Sequence, residues 1–347
     1  MLVTLLCATA FAAPEGRPEL SVRPVASLQL WGTVWDQDED LQGDATGFGD
    51  PESDAGVSVK RVRLGLVGAI GDVNWEVLVG RTAPFDGFAS DSGAIEVIDA
   101  RIGWARDGFS VEAGRGRVPF SRDQMMGSGE LTFTERGFGA EHVAPPRSLG
   151  LSATAARFGG KITLGVFNSG GTVWGDDNLG KTLVGRAEWA TGNDTYRLWD
   201  GGKQTFAFGV GGGAFWTDDQ STRTIGAGGD ALLRVAGLSM IADVAWRRVE
   251  PGDTTVEAPG VLAPMTRLAL TGEVGWAFGP VRPAARWSHM IDEATGAWGL
   301  GLFGVTWHIF PDDKRRDRLR LGLGYVLRVE PDARPNDGVR LWAQVRT

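Results

Sequence analysis

The sequence predicts an all-β chain, a transmembrane antiparallel β-barrel of sixteen strands, and three observations carry that prediction. From residue 24 onward, runs of about ten to fourteen residues alternate apolar and polar positions, the period of a strand with one lipid face and one water face. The breaks between runs are of two kinds, short and long, that alternate along the chain. The composition pairs 52 glycines, 14 tryptophans and 16 phenylalanines with a mean hydropathy of only −0.10. No stretch approaches eighteen consecutive apolar residues, so a membrane helix is excluded. A barrel is not, because it hides its apolar residues at every second position.

Residues 1–12, MLVTLLCATAFA, read as a signal peptide: a short apolar run closing on the A-x-A pattern Ala10-Phe11-Ala12. Residues 13–347 then form the barrel domain. The single cysteine, Cys7, falls inside the leader, so the mature chain carries no thiol chemistry and no Cys-ligated metal. The clearest strands are VKRVRLGLVGAI (59–70), AIEVIDARIGWA (94–105), RLALTGEVGWAF (267–278) and DRLRLGLGYVLRV (317–329). Tight turns are expected at Gly71-Asp72, Asp107-Gly108, Gly159-Gly160, Ala236-Gly237 and Gly279-Pro280, with longer ones near 191–203 and 310–316. The other side carries 36–54, 83–93, 118–147, 169–179, 217–222, 250–262, 290–295 and 330–338. Seven short and eight long connections make sixteen strands, each long enough to cross a bilayer at the usual tilt. Trp31, Trp35, Trp75, Trp104, Trp189, Trp216, Trp246, Trp276, Trp287 and Trp307 lie in the runs, many near an end, where aromatic girdles sit. A soluble all-β protein would have shorter strands and no such alternation of connections.

The net charge of −8 belongs to one rim. The long connections other than 118–147 hold twenty-two acidic residues and one basic residue, Arg334. That rim is either a solvated polar face or a surface bridged by divalent cations to lipopolysaccharide. DQDED (36–40) lacks the glycine turn and downstream glutamate of a calcium loop. If Val62, Leu64 and Leu66 face lipid, Arg61 and Arg63 face inward. The same logic turns Arg101, Arg186, Arg234, Arg267, Arg282, Arg286, Arg318, Arg320, Arg328 and Arg340 to the lumen. Inward acids are fewer: Glu76, Asp99, Glu112, Glu188, Asp230, Asp243 and Glu273. Surplus arginine along a wet channel favours anions, although lumenal arginine–acid pairs also brace barrel walls.

Several stretches resemble one family. KRVRLGLVG (60–68), DARIGW (99–104), VEAGRGRVPFS (111–121), LTFTERG (131–137) and APPRSLGLSA (144–153) are similar to the phosphate-selective porin O and P family, with GVTWHI and GVRLWAQV resembling its last strands. The resemblance implies a sixteen-stranded barrel, usually a homotrimer, whose third extracellular loop folds into the lumen. The segment 118–147, VPFSRDQMMGSGELTFTERGFGAEHVAPPR, lies between the fifth and sixth runs and is that loop. Phe120, Leu131, Phe133 and Phe138 would fix it against the wall, and Pro119 would end the preceding strand. The family's basic pair falls on Lys60 and Arg61, with Arg63 following. Its strand-four aspartate falls on Asp99, and its lysine before V-P-F on Arg117. With Arg101, Arg115, Arg122 and Arg136 these make the expected anion pathway, in which Arg61 and Arg117 face each other and Asp99 orients one of them. A guanidinium at 117 and only five lysines in the chain favour general anion preference over strict phosphate specificity.

The expected function is a water-filled outer-membrane porin preferring small anions such as phosphate. A general, sugar- or cation-permeable porin and a purely structural barrel are the alternatives. The expected partners are small phosphate-like anions, outer-membrane lipid and lipopolysaccharide; no nucleic acid, cofactor or metal is expected. An enzyme is disfavoured: the chain has only His142, His289 and His308, and neighbouring Ser288 and His289 would point to opposite faces of a strand.

Overall fold

A chain that crosses lipid must satisfy its backbone N–H and C=O groups internally, and a closed sheet does so without leaving an edge. In the computed structural model the described residues are 19–36, 56–82, 95–169, 179–191, 206–219, 221–252, 263–309, 319–331 and 337–347. Eight strands form the first half: β1 (Leu20–Asp36), β2 (Gly56–Ile70), β3 (Val73–Thr82), β4 (Glu96–Arg106), β5 (Phe109–Gly116), β6 (Ser148–Arg157), β7 (Gly160–Asn168) and β8 (Lys181–Ala190). The second half comprises β9 (Phe206–Asp218), β10 (Thr222–Val235), β11 (Leu238–Pro251), β12 (Met265–Trp276), β13 (Val281–Asp292), β14 (Gly296–His308), β15 (Leu319–Val329) and β16 (Gly338–Arg346). Each strand pairs with the next, and β16 pairs antiparallel with β1 to close the barrel. The leader, residues 1–12, and most of the acidic rim lie outside the described residues.

The period-two pattern separates the faces as expected. Leu64, Leu66, Ile102, Leu151, Leu164 and Leu323 are exposed on the outside, where lipid covers them. Arg186, Arg234, Arg282, Arg286, Arg320, Arg328 and Arg340 are buried on the inside. Arg318 lies outside the described residues. Among the described residues three bulges break the period, each adding one residue to one strand of a pair.

Two expectations about connections are corrected. The breaks at 217–222 and 290–295 are not long loops, because ladder pairing runs through Asp218 and Arg223 and through Asp292 and Gly296. They shrink to 219–221 and 293–295, while the connections after β8 and β14 are the longer ones on the opposite side. Length therefore separates the two ends less cleanly than the run pattern indicated. Trp31 is also not part of a girdle: it is buried on the inner face, and its Nε1 donates to Thr134 Oγ1 at 2.8 Å. The girdle gathers at the short-turn end, where Trp104 meets Phe109 (6.1 Å between centroids), Trp189 meets Phe208 (6.4 Å) and Trp276 stacks on Phe278 (6.0 Å).

The segment between β5 and β6 runs through the barrel interior. Arg186 on β8 donates to the Phe120 carbonyl (2.8 Å), Arg286 on β13 to that of Glu135 (2.6 Å), and Arg320 on β15 to that of Leu131 (2.7 Å). Strands so far apart around a closed sheet can share one segment only from within. The segment holds the short helix α1 (Arg122–Met125), capped by Ser121, whose Oγ accepts from the Gln124 N–H at 3.2 Å. A π-helical turn follows at Gly139–Val143. Phe120 is fully buried, edge-on to Phe215 with centroids 5.1 Å apart. Only glycine permits this approach, since a Cβ at Gly213 would stand 2.5 Å from the Phe120 carbonyl oxygen.

Candidate functional site

Lys60 and Arg61 are consecutive, so a regular strand would send one of them into lipid. The bulge in β2 prevents this: Gln29 pairs with Arg61 and Leu30 with Val59, leaving Lys60 unpaired, and both cations are buried inside. Lys60 Nζ lies 3.5 Å from Glu135 Oε2 and 4.3 Å from the centroid of the Trp31 ring. Arg61 donates to Gln29 Oε1 at 2.8 Å and to the Thr134 carbonyl, with Glu135 at 4.0 Å. These two cations help hold the interior segment in place, Lys60 through Glu135 and Arg61 through the Thr134 carbonyl and Glu135.

The interior segment divides the lumen into two chambers. One, of about 970 Å³, opens toward the short turns and is lined by Arg23, Asp99, Arg101, Glu112 and Arg186 among others. The other, of about 750 Å³, opens toward the long connections and has nine cationic side chains against four carboxylates. Arg63, Arg117 and Ser128 line both chambers, so the two adjoin at the β2–β5 wall. Arg63 Nη1 donates to Ser128 Oγ at 2.8 Å, and its buried Nε has no hydrogen-bond partner. Arg117 Nη1 is bound by the carbonyls of Met125 and Met126, both at 2.6 Å. Burial pushes the Arg117 guanidinium well below its ordinary value, Arg136 and Arg147 add repulsion, and Asp99 opposes them. Arg136 is lowered too, again first by burial, with Asp123 opposing. A guanidinium stays protonated in proteins, so the direction records first the cost of burying these charges, to which their mutual repulsion adds.

Several expected roles change. Asp99 orients neither Arg61 nor Arg117; its Oδ1 accepts from Arg147 Nε at 3.0 Å. Arg147 was not among the expected residues, and its Nη2 is buried without a hydrogen-bond partner. Arg115 starts from the outward register row of Ala113 and Leu149, but it turns its Nε to the Val97 carbonyl at 3.0 Å and lines, at its rim, the chamber that opens toward the long connections. Arg122 is buried against Asp230 at 2.9 Å, and Asp230 also takes Arg186 at 2.7 Å. Arg136 is tied to the carbonyls of Asp123 and Met126. Arg101 faces the lumen between Glu76 (2.7 Å) and Glu112 (3.1 Å). Ser288 is fully buried inside, while its neighbour His289 shares the outward row of Leu270 and Gly299.

The sequence model of the family "Phosphate-selective porin O and P" matches residues 29–199. Among curated protein sequences none matches the chain. Among solved structures, an anion-selective porin from Comamonas acidovorans superposes with a TM-score of 0.64 at 13% identity, over 95% of this chain and 100% of that one. A loop L8 deletion mutant of OmpT, an outer membrane protein of Vibrio cholerae, gives 0.62 at 10% identity, over 94% and 99%. OprB of Pseudomonas putida gives 0.61 at 10% identity, over 94% of each chain. At these identities the structural likenesses speak for the fold. Residues 29–199 thus match the phosphate-selective porin O and P family, and the chain is a porin of the bacterial outer membrane.

Proposed function

We propose that the porin prefers small, phosphate-like anions, which cross between the chambers beside Arg63 and Arg117. The observation that supports this reading is the shared lining: both guanidiniums border both chambers, with Asp99 and Arg147 close by. An anion about 4 Å from one such charge gains roughly 1 kcal/mol in water and about four times that at an effective dielectric near 20. That range is enough to concentrate anions and weak enough to release them. The same reading makes the protein a passive channel rather than an enzyme. It works as a homotrimer in outer-membrane lipid, with its acidic rim bridged to lipopolysaccharide by divalent cations.

The test is the reversal potential of the reconstituted protein under a salt gradient. Arg117→Glu replaces an attraction with a repulsion and is expected to reduce or reverse the anion preference, most clearly at low salt. Arg248→Glu is the matched control, because Arg248 lies on the outward row opposite Ile225 and pairs with Glu250 at 2.8 Å. Arg340, by contrast, stacks 4.0 Å from the centroid of Trp31, the ring that also carries Lys60, and is no remote control. Equal shifts in Arg117→Glu and Arg248→Glu would assign selectivity to the diffuse field of the barrel and remove this site.

A further inference from the structure

The outer wall carries a hollow of about 840 Å³ at the short-turn end, lined by Ala155, Gly160, Ile162, Ala187, Trp189 and Gly212 among others. The ladder pairs Ala155 with Ile162, Ile162 with Ala187 and Ala187 with Gly212, so these four share one row of the outward face. The small side chains of Ala155, Ala187 and Gly212 leave bare wall on that row. Exposed Ile162 and Trp189, with Val210, stand around it. A Cβ at Gly212 would meet one neighbour, the Gly228 carbonyl oxygen, at 3.3 Å, a tight contact that a shift of a few tenths of an ångström relieves.

Two further features meet at the end of this hollow. Phe158, at the tip of the β6–β7 turn, has φ 51° and is 85% exposed. The turns at Asp107-Gly108 and Ala236-Gly237 show the same positive φ, but they place there a short polar residue or an alanine. A bulky residue in that conformation is strained, and the exposure of its ring is a second cost that a covering lipid would remove. Beside it, the guanidinium of Arg157 lies 4.7 Å from the centroid of the Phe158 ring. Arg157 sits on the outward row opposite Gly160 and has no ion pair among the described residues. Arg106, the next outward arginine at this end, is by contrast matched by Asp72 and Asp107 at 4.0 and 3.5 Å.

We propose that this hollow binds one anionic glycerophospholipid of the leaflet at the short-turn side, which in outer-membrane barrels is the periplasmic side. An acyl chain lies on the bare row over Ala187 and Gly212. The headgroup phosphate meets Arg157, and Phe158 inserts beside the glycerol at headgroup depth, where aromatic rings are favoured. The occupant is a phospholipid because Arg157, a cation without an ion pair among the described residues, lies on the lipid-facing row and borders a mostly apolar hollow whose carboxylates are already matched, Asp107 by Arg106 and Glu188 by Lys161. The inference is independent of how the pore selects solutes.

The test is native mass spectrometry of the full chain reconstituted in equimolar phosphatidylglycerol and phosphatidylethanolamine, then extracted in mild detergent. The wild type is expected to keep one phosphatidylglycerol per chain, at least tenfold over phosphatidylethanolamine. Gly212→Leu, which fills the hollow, and Arg157→Gln, which removes the cation, are each expected to cut that retention tenfold or more. Single-channel conductance and heat-modifiable gel migration should not change. Arg157→Gln alters an exposed side chain, so it carries the test even if Gly212→Leu fails to fold. Equal retention of the two lipids, undiminished retention in Arg157→Gln, or a Gly212→Leu effect on oligomeric state without lipid loss would each overturn the proposal.

Discussion

A buried guanidinium can attract a passing anion only to the extent that its own N–H groups are not already engaged. By that measure the lumenal arginines divide. Arg122 and Arg186 converge on Asp230, and Arg286 is bound to Glu273 at 2.7 Å and to the Glu135 carbonyl. These hold structure. Arg63 and Arg147 keep unpartnered nitrogens near the passage. Removing Asp230 would leave two buried cations without their shared carboxylate, a loss of about 3–5 kcal/mol for a broken buried pair. Asp230→Ala is therefore expected to lower the urea midpoint of the folded barrel markedly, while Asp99→Ala, with a half-buried partner, should lower it much less. Equal midpoints for the two variants would mean the Asp230 cluster is as well hydrated as the passage. Alternation made Arg61 and Arg63 legible as inward residues. It could not show that Lys60 joins them, because a bulge leaves no mark in the pattern. Nor could it pair Asp99 with Arg147, which lies 48 residues away.

At the scale of elements, the interior segment is held by close fit as much as by charge. A Cβ at Gly213 would meet backbone at 2.5 Å, where no side chain can swing aside. Gly213→Val is expected to push Phe120 off the wall at a cost of about 1–3 kcal/mol of overpacking and to make single-channel currents noisier. Deleting 124–132 touches no strand but removes Ser128 and both carbonyls that hold Arg117. It should raise conductance, and unchanged conductance would show that the segment does not narrow the pore. The strands were legible because lipid on one side and water on the other enforce the period of two. The lengths of the connections were less so. Polar turn residues such as Asp218 and Asp292 are equally at home in the last pair of a ladder, so composition could not locate where pairing stops.

For the whole molecule, a closed sheet resists detergent until heated, so the folded protein should migrate faster on gels unboiled than boiled. Identical migration, with a circular dichroism spectrum poor in strand, would count against the barrel. The closing seam carries a further consequence. Gln29 on β1 donates to Gln344 on β16 at 2.5 Å, and the same two side chains donate to the carbonyls of Ser128 and Gly129, both at 3.2 Å. The first and last strands are thus stitched to each other and to the interior segment by one pair of amides. This internal partition therefore settles on a seam that the β1–β16 ladder closes by itself, and it reinforces that seam once in place. A chain that cannot complete its seam would have nowhere to anchor this part of the partition. Contacts that join the two ends of a sequence form late and slowly. A half-made channel of this design should accordingly be an open, proteolysis-prone sheet rather than an unregulated hole in the membrane.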